Sequence, residues 1–180
     1  MRVALLAGQL HEAGTQLSAR LSGLTDDEYL WEPVPGCWTA RPRATATTRL
    51  ANGRGAWVLD YDLPDPDPPP FTTIAWRLLH VAMVTAMYAD FAFAAGTLDF
   101  DDFDIPPTAA GGITWWTGSL ARFRQQLDRL PEDALDRRVR PPWMEATTVE
   151  RMVRIVLVET VHHGAEIGCL RDLYRHLGPT

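Results

Sequence analysis

The chain has 180 residues, about one domain at roughly 100 to 200 residues each, and 46% of them are apolar, which excludes a disordered or fibrous protein. Its 17 basic residues, all arginine, face 23 acidic ones, and the net charge of −6 excludes the basic footprint expected of a nucleic-acid or anionic-membrane binder. Of the 14 prolines, eight crowd into residues 33–70, and four long stretches carry none: 1–32, 71–105, 108–130 and 143–178. Because proline breaks helix interiors, this spacing predicts four helices separated by proline-bearing joints.

In the first stretch Val3, Leu6, Leu10, Ala13, Leu17, Leu21 and Leu24 recur at steps of three and four, the stripe of an amphipathic helix ended by Asp26, Asp27 and Pro33. The opening Met-Arg-Val-Ala-Leu-Leu-Ala-Gly is too short for a signal peptide, and no apolar run approaches the ~18 to 20 residues of a membrane span, so a soluble, cytoplasmic protein is expected. Cys37 and Cys169 belong to no CxxC pair and read as free thiols, Cys37 a candidate reactive group and Cys169 a small packing residue.

A connection of about 40 residues follows, Pro33 to Phe71, far longer than the usual ~2 to 8 between helices. Its tryptophans, Trp31, Trp38 and Trp57, predict an ordered flap with a short strand at 56–59, and Pro64 to Pro70 reads as a stiff polyproline stretch. The second helix starts after Thr72 or Thr73, good N-caps, and is apolar nearly all round from Ile74 to Ala95. Such a helix is central, so His80, midway along it, is expected to be buried. The acidic run 99–104 lacks the Gly and distal Glu of an EF-hand and reads as a loop. Ile113, Trp116, Leu120, Phe123, Leu127 and Leu130 then form a third amphipathic helix stopping at Pro131.

The fourth helix begins near Thr147-Thr148 and ends at Gly178-Pro179. Its seam runs Val149, Met152, Val156, Glu159, His163, Glu166, Leu170, Leu173, Leu177, with three successive ionisable positions between apolar ones. Burying an unpaired carboxylate or imidazole costs several kcal/mol, so these residues need partners. Three explanations stand. One is a polar network or ion pair, such as Glu159 with an arginine. The second is a metal site: Glu159 and His163, four apart, share one helix face, His80 supplies a third ligand, and two His with one carboxylate leave coordination positions open, as in catalytic sites. The third shifts the register to His162 and Glu166, also four apart. His162 otherwise reads as a surface or supporting residue, Glu166 as a ligand-orienting group or proton acceptor, and His11 and His176 as surface residues.

Residues 24–38 (LTDDEYLWEPVPGCW), 71–80 (FTTIAWRLLH) and 159–174 (ETVHHGAEIGCLRDLY) resemble the DinB-like superfamily, which includes DinB and YfiT-like proteins, bacillithiol transferases and mycothiol-dependent maleylpyruvate isomerases. The resemblance covers nearly the whole chain and implies one all-α domain over 1–180: a four-helix bundle, up-down-down-up with a long first crossover, assembled as a homodimer. It also implies a divalent metal, zinc first and otherwise nickel or iron, on His80, Glu159 and His163. The ExxxH pair resembles the mycothiol-dependent isomerases, implying a transferase or isomerase that uses mycothiol or another small thiol on a small electrophilic substrate. The isomerases continue into a second domain that helps bind substrate, whereas this sequence ends at Thr180. On this reading Glu166 or His162 moves a proton or orients a ligand, and Arg77 holds a cofactor or substrate carboxylate. A metal-dependent hydrolase and a non-catalytic metal or small-molecule binding protein are the alternatives.

Overall fold

A computed structural model of the chain describes residues 1–64 and 66–179. It is predominantly helical: α1 (Arg2–Leu21), α2 (Asp26–Leu30), α3 (Ile74–Phe93), α4 (Ala109–Asp128) and α5 (Val149–Leu177). Two small antiparallel sheets accompany them, β1 (Ala40–Pro42) with β2 (Trp57–Leu59), and β3 (Arg138–Val139) with β4 (Thr147–Thr148). The strand expected at 56–59 is β2; β3 and β4 are too short to leave a periodic trace.

The four long helices are those the proline spacing predicts, with one difference. Asp26 and Asp27 do not end the first helix; they begin α2. α1 stops at Leu21, the backbone turns through Gly23 at φ 70°, and the Thr25 hydroxyl caps α2 by accepting from Glu28 N at 3.2 Å. Asp26 instead accepts from Ala109 N at 2.7 Å, placing a carboxylate at the positive start of α4. Leu24 and Leu130, read as stripe residues, lie just beyond the helix ends.

Threonines cap the other three helices. Thr73 accepts from Trp76 N, Thr108 from Gly111 N and Thr148 from Arg151 N, each at 3.2 Å. α1 and α3 each pack against both α4 and α5. Between them lies a core built from one face of α1 (Leu6, Leu10, Leu17), of α4 (Trp116, Phe123, Leu127) and of α5 (Met152, Val153, Val156) and from nearly all sides of α3. α1 approaches α4 at Gly14, where a Cβ would stand 2.6 Å from Leu120 Cδ2, so a larger residue there would have to displace the Leu120 side chain. Ion pairs tie α1 to α5 near both ends, Arg2 with Glu150 at 2.8 Å and Arg20 with Asp172 at 2.8 Å.

The long connection before α3 is ordered around a buried carboxylate. Asp60 accepts from Thr39 N at 3.0 Å and pairs with Arg41 Nε at 2.7 Å. Trp38 bonds both sides of the α3 start, donating its N–H to Phe71 O at 2.9 Å and accepting from Thr73 N at 3.0 Å. Asp65, within the expected polyproline stretch, lies outside the described residues. No helix among the described residues is long and apolar enough to cross a membrane.

Candidate metal centre

The three seam positions of α5 meet α3 at one place. His80 Nε2 lies 3.4 Å from Glu159 Oε2, and His163 Nε2 lies 3.3 Å from the same oxygen. One ligand atom from each of the three residues falls within 4.8 Å of the others. Among the described residues Glu159 pairs with no arginine: the nearby Arg77 forms its ion pair with Glu166. The Glu159 carboxyl is held well below the usual carboxylate range by the His163 and His80 imidazoles.

Donor and acceptor arithmetic decides what this cluster lacks. His163 Nδ1 stands 2.6 Å from Glu166 Oε2. An ionised carboxylate only accepts, so Nδ1 carries the proton, and in the neutral ring Nε2 is then a bare lone pair. That lone pair faces Glu159 Oε2, acceptor against acceptor. A second ring proton would resolve the conflict, and a metal ion between them would resolve it equally. The spacing agrees, because two ligands ~2.0 to 2.1 Å from a tetrahedral zinc stand ~3.3 Å apart, close to the observed 3.3 and 3.4 Å. Charge-assisted N–H···O bonds are shorter, ~2.7 to 2.9 Å. The donor set and its spacing therefore fit a divalent ion.

Supports for the three residues come from beyond the seam. Trp76 stacks on His80 with centroids 4.8 Å apart and 8° between planes, and its Nε1–H donates to Asp60 O at 2.8 Å. Residues 33–70 thus reach the centre through Trp76. No sequence motif marks this; the (i, i+4) spacing of Trp76 and His80 on one helix is the signal available. Glu166 is ionised: burial pushes its carboxyl up, but the His163 hydrogen bond and the Arg77 guanidinium outweigh this and leave it below the ordinary value.

The remaining predicted residues fall as follows. His80 is not fully buried; its side chain keeps 23% exposure, because a cleft opens beside it. Burial still pushes its imidazole below the ordinary histidine value. His162 is exposed, with Nε2 3.1 Å from Glu166 Oε1, so the alternative group of His162, His163 and Glu166 also exists. Glu166 in that group is already bound by Arg77 and by His163. Arg77 itself is largely buried, keeps Nε without a hydrogen-bond partner and spends its charge on Glu166 rather than on an open space. His11 and His176 are on the surface. Both cysteines are free thiols; Cys37 is buried and its thiol pushed up by desolvation, whereas Cys169 is exposed, not a packing residue, and lines an open groove between α1 and α5.

The cleft beside the centre holds about 200 Å³. Its walls are Val84, Met87 and Tyr88 of α3, Ile155 of α5, and Phe100 and Trp143 from the loops before α4 and α5, with His80 and Glu159 at one end. None of these residues comes from 33–70, although Tyr61 backs the wall by stacking on Phe100 at 6.2 Å.

Comparison with known proteins gives a family. A family model described as the DinB superfamily matches residues 9–167, most of the chain. No curated protein and no solved structure matches significantly.

Proposed function

The chain belongs to the DinB superfamily, and from that premise we propose that it is a divalent-metal-dependent transferase or isomerase that uses a low-molecular-weight thiol on a small electrophilic substrate. The observation that carries the reading is His163 Nε2 3.3 Å from Glu159 Oε2, with its ring turned there by the Nδ1 contact to Glu166 at 2.6 Å. His80, Glu159 and His163 would hold the ion, zinc before nickel or iron, with coordination positions left for ligands from outside the protein. An ion held there would lower the pKa of a thiol, so that thiolate would be available near neutral pH.

The protein's own groups do the rest. Trp76 fixes the plane of His80, and the Glu166 carboxylate fixes the tautomer of His163. Arg77 keeps Glu166 ionised and so acts as a positioning residue. His162, exposed and bonded to the other Glu166 oxygen, is placed to pass a proton between that carboxylate and solvent. Mycothiol as the thiol rests on the resemblance of the Glu159–His163 pair to the isomerases that use it.

The same proposal includes a single domain over 1–180 and an up-down-down-up bundle with a long first crossover. The Arg2–Glu150 and Arg20–Asp172 pairs support parallel α1 and α5, and the Arg77–Glu166 pair with the Tyr88–Met144 contact supports antiparallel α3 and α5. A homodimer is supported by Val158 and Val161, exposed on α5. A cytoplasmic setting suits a thiol cofactor.

The test is a conjugation screen of the metal-loaded protein, with mycothiol, bacillithiol and glutathione each offered with monochlorobimane. Conjugation by at least one thiol, lost in His163→Ala, is expected. Turnover unchanged in His163→Ala would reject the mechanism.

A further inference from the structure

We propose that the cleft beside His80 and Glu159 receives an uncharged aromatic or branched aliphatic group of the substrate, a specificity that rests on the metal reading of the same centre for the head group. Three observations carry it. The cleft holds about 200 Å³, and an apolar protein cavity of ~150 Å³ already accommodates benzene. A phenyl ring or a branched chain of similar bulk fills it.

Its walls are apolar or aromatic. Trp143 stands edge-on to Tyr88 at 6.2 Å and inclined to Phe100 at 6.1 Å, so ring faces and edges are both presented to a guest. Tyr88 directs its hydroxyl to the weak acceptor Met144 Sδ at 3.7 Å.

Charge supplies the third observation. Among the described residues Glu159 is the one carboxylate lining the cleft, and no arginine lines it. Arg77, the arginine nearest in sequence to His80, is bound to Glu166. A substrate carboxylate pushed to the Phe100 and Trp143 end, away from the metal residues, would lose its water without gaining a cation. The substrate end that lies there is therefore neutral.

Titration calorimetry on the zinc-loaded protein with benzyl mercaptan, 2-mercaptoethanol and mercaptosuccinate tests this. Benzyl mercaptan is expected to bind ~10- to 100-fold more tightly than 2-mercaptoethanol, the gain from burying a phenyl group. Mercaptosuccinate is expected to bind no better than 2-mercaptoethanol. In Ile155→Phe, where a larger side chain fills the half-buried wall, the benzyl preference should fall to within about threefold of unity.

A second arm leaves the metal out: toluene should bind the metal-free wild type and shift the Trp143 indole resonance, assigned with Trp143→Phe. Toluene binding without any thiol binding would reject the metal reading and keep the cleft. Equal affinities for the three thiols, or mercaptosuccinate the tightest, would overturn the cleft inference and keep the metal. So would toluene leaving Trp143 unmoved.

Discussion

Arg171 and His163 both sit in the polar part of α5, about two turns apart, and both meet a carboxylate. At Arg171 the account closes within the protein. Nε and Nη2 reach the two Glu28 oxygens at 2.7 and 3.0 Å, and Nη1 donates to the Arg20 and Ser22 carbonyls. Both side chains are 6% exposed, each charge has its opposite, and three segments, α1, α2 and α5, are tied together. At His163 the account stays open: Nδ1 is satisfied by Glu166, while Nε2, once deprotonated as a ligand must be, presents a lone pair to the Glu159 oxygen. Burial of polar groups alone does not separate a structural cluster from a binding site. The balance of donors and acceptors does.

The sharpest way to break this contrast is to count ions. Wild-type protein, stripped and reconstituted with zinc, is expected to bind one ion per chain, and His163→Ala or Glu159→Ala less than about 0.1, by loss of a ligand that must be deprotonated to bind. Arg171→Leu, where it folds, should keep the wild-type stoichiometry. Atomic emission on untagged protein measures both, and no zinc uptake by the wild type would reduce His163 to a polar network.

Next in size is stability. Arg171→Ala leaves the Glu28 carboxylate buried without a partner and should cost ~3 to 5 kcal/mol, a large part of a domain's ~5 to 15. Replacing both residues, Glu28→Leu with Arg171→Met, should recover most of it. In the metal-free protein His163→Ala should cost less, because the Glu159 and Glu166 carboxylates it leaves keep 28% and 32% exposure and can be hydrated. Urea unfolding compares the three, and equal losses at Arg171 and His163 would erase the distinction.

A smaller effect tests the support of His163. Glu166→Gln keeps the shape but weakens the Nδ1 bond and the charge behind it, which should lower zinc affinity ~10- to 100-fold. Competition with a chelator measures this. His162→Gln, altering an exposed neighbour on the other Glu166 oxygen, should change affinity less than about threefold.

Much of this was legible in the sequence, and the failures have physical causes. Helix period and proline placement locate α1, α3, α4 and α5, because each buries a continuous stripe or, for α3, nearly all its sides. The sequence narrows the cap of α3 to Thr72 or Thr73, because threonine at a helix start has one chief use, and places the start of α5 near Thr147-Thr148; contacts decide for Thr73 and Thr148. The run Glu159, His163, Glu166 stood out as polar positions in an apolar seam, and spacing set two of them on one face. What stayed hidden depends on contacts distant in sequence. The Glu28–Arg171 pair joins residues 143 apart, and Arg77 turned to Glu166 where an open anion site was expected. The cleft walls at Phe100 and Trp143 lie on loops, where no period announces a neighbour. Cys169 was misplaced because its small side chain suits a packed or an exposed helix face equally well.

The smallest predicted effect concerns protons rather than metal. In the stripped protein, burial holds His80 below its ordinary 6.5, so below that pH the unfolded chain binds more protons than the folded one and stability falls as pH drops. Glu159 and Glu166, both held below their ordinary 4.5, add a second loss of the same sign, beginning as pH falls through 4.5 and complete only below their folded-state values. Between pH 8 and 5.5 the His80 contribution develops, and the melting temperature should drop by about 2 to 4 °C for each kcal/mol lost. His80→Gln should flatten the curve in that interval. Glu28→Leu with Arg171→Met should leave its slope unchanged, since an arginine stays charged throughout. A slope that persists in His80→Gln would place the titrating group elsewhere, and His80 would then be as closed a residue as Arg171.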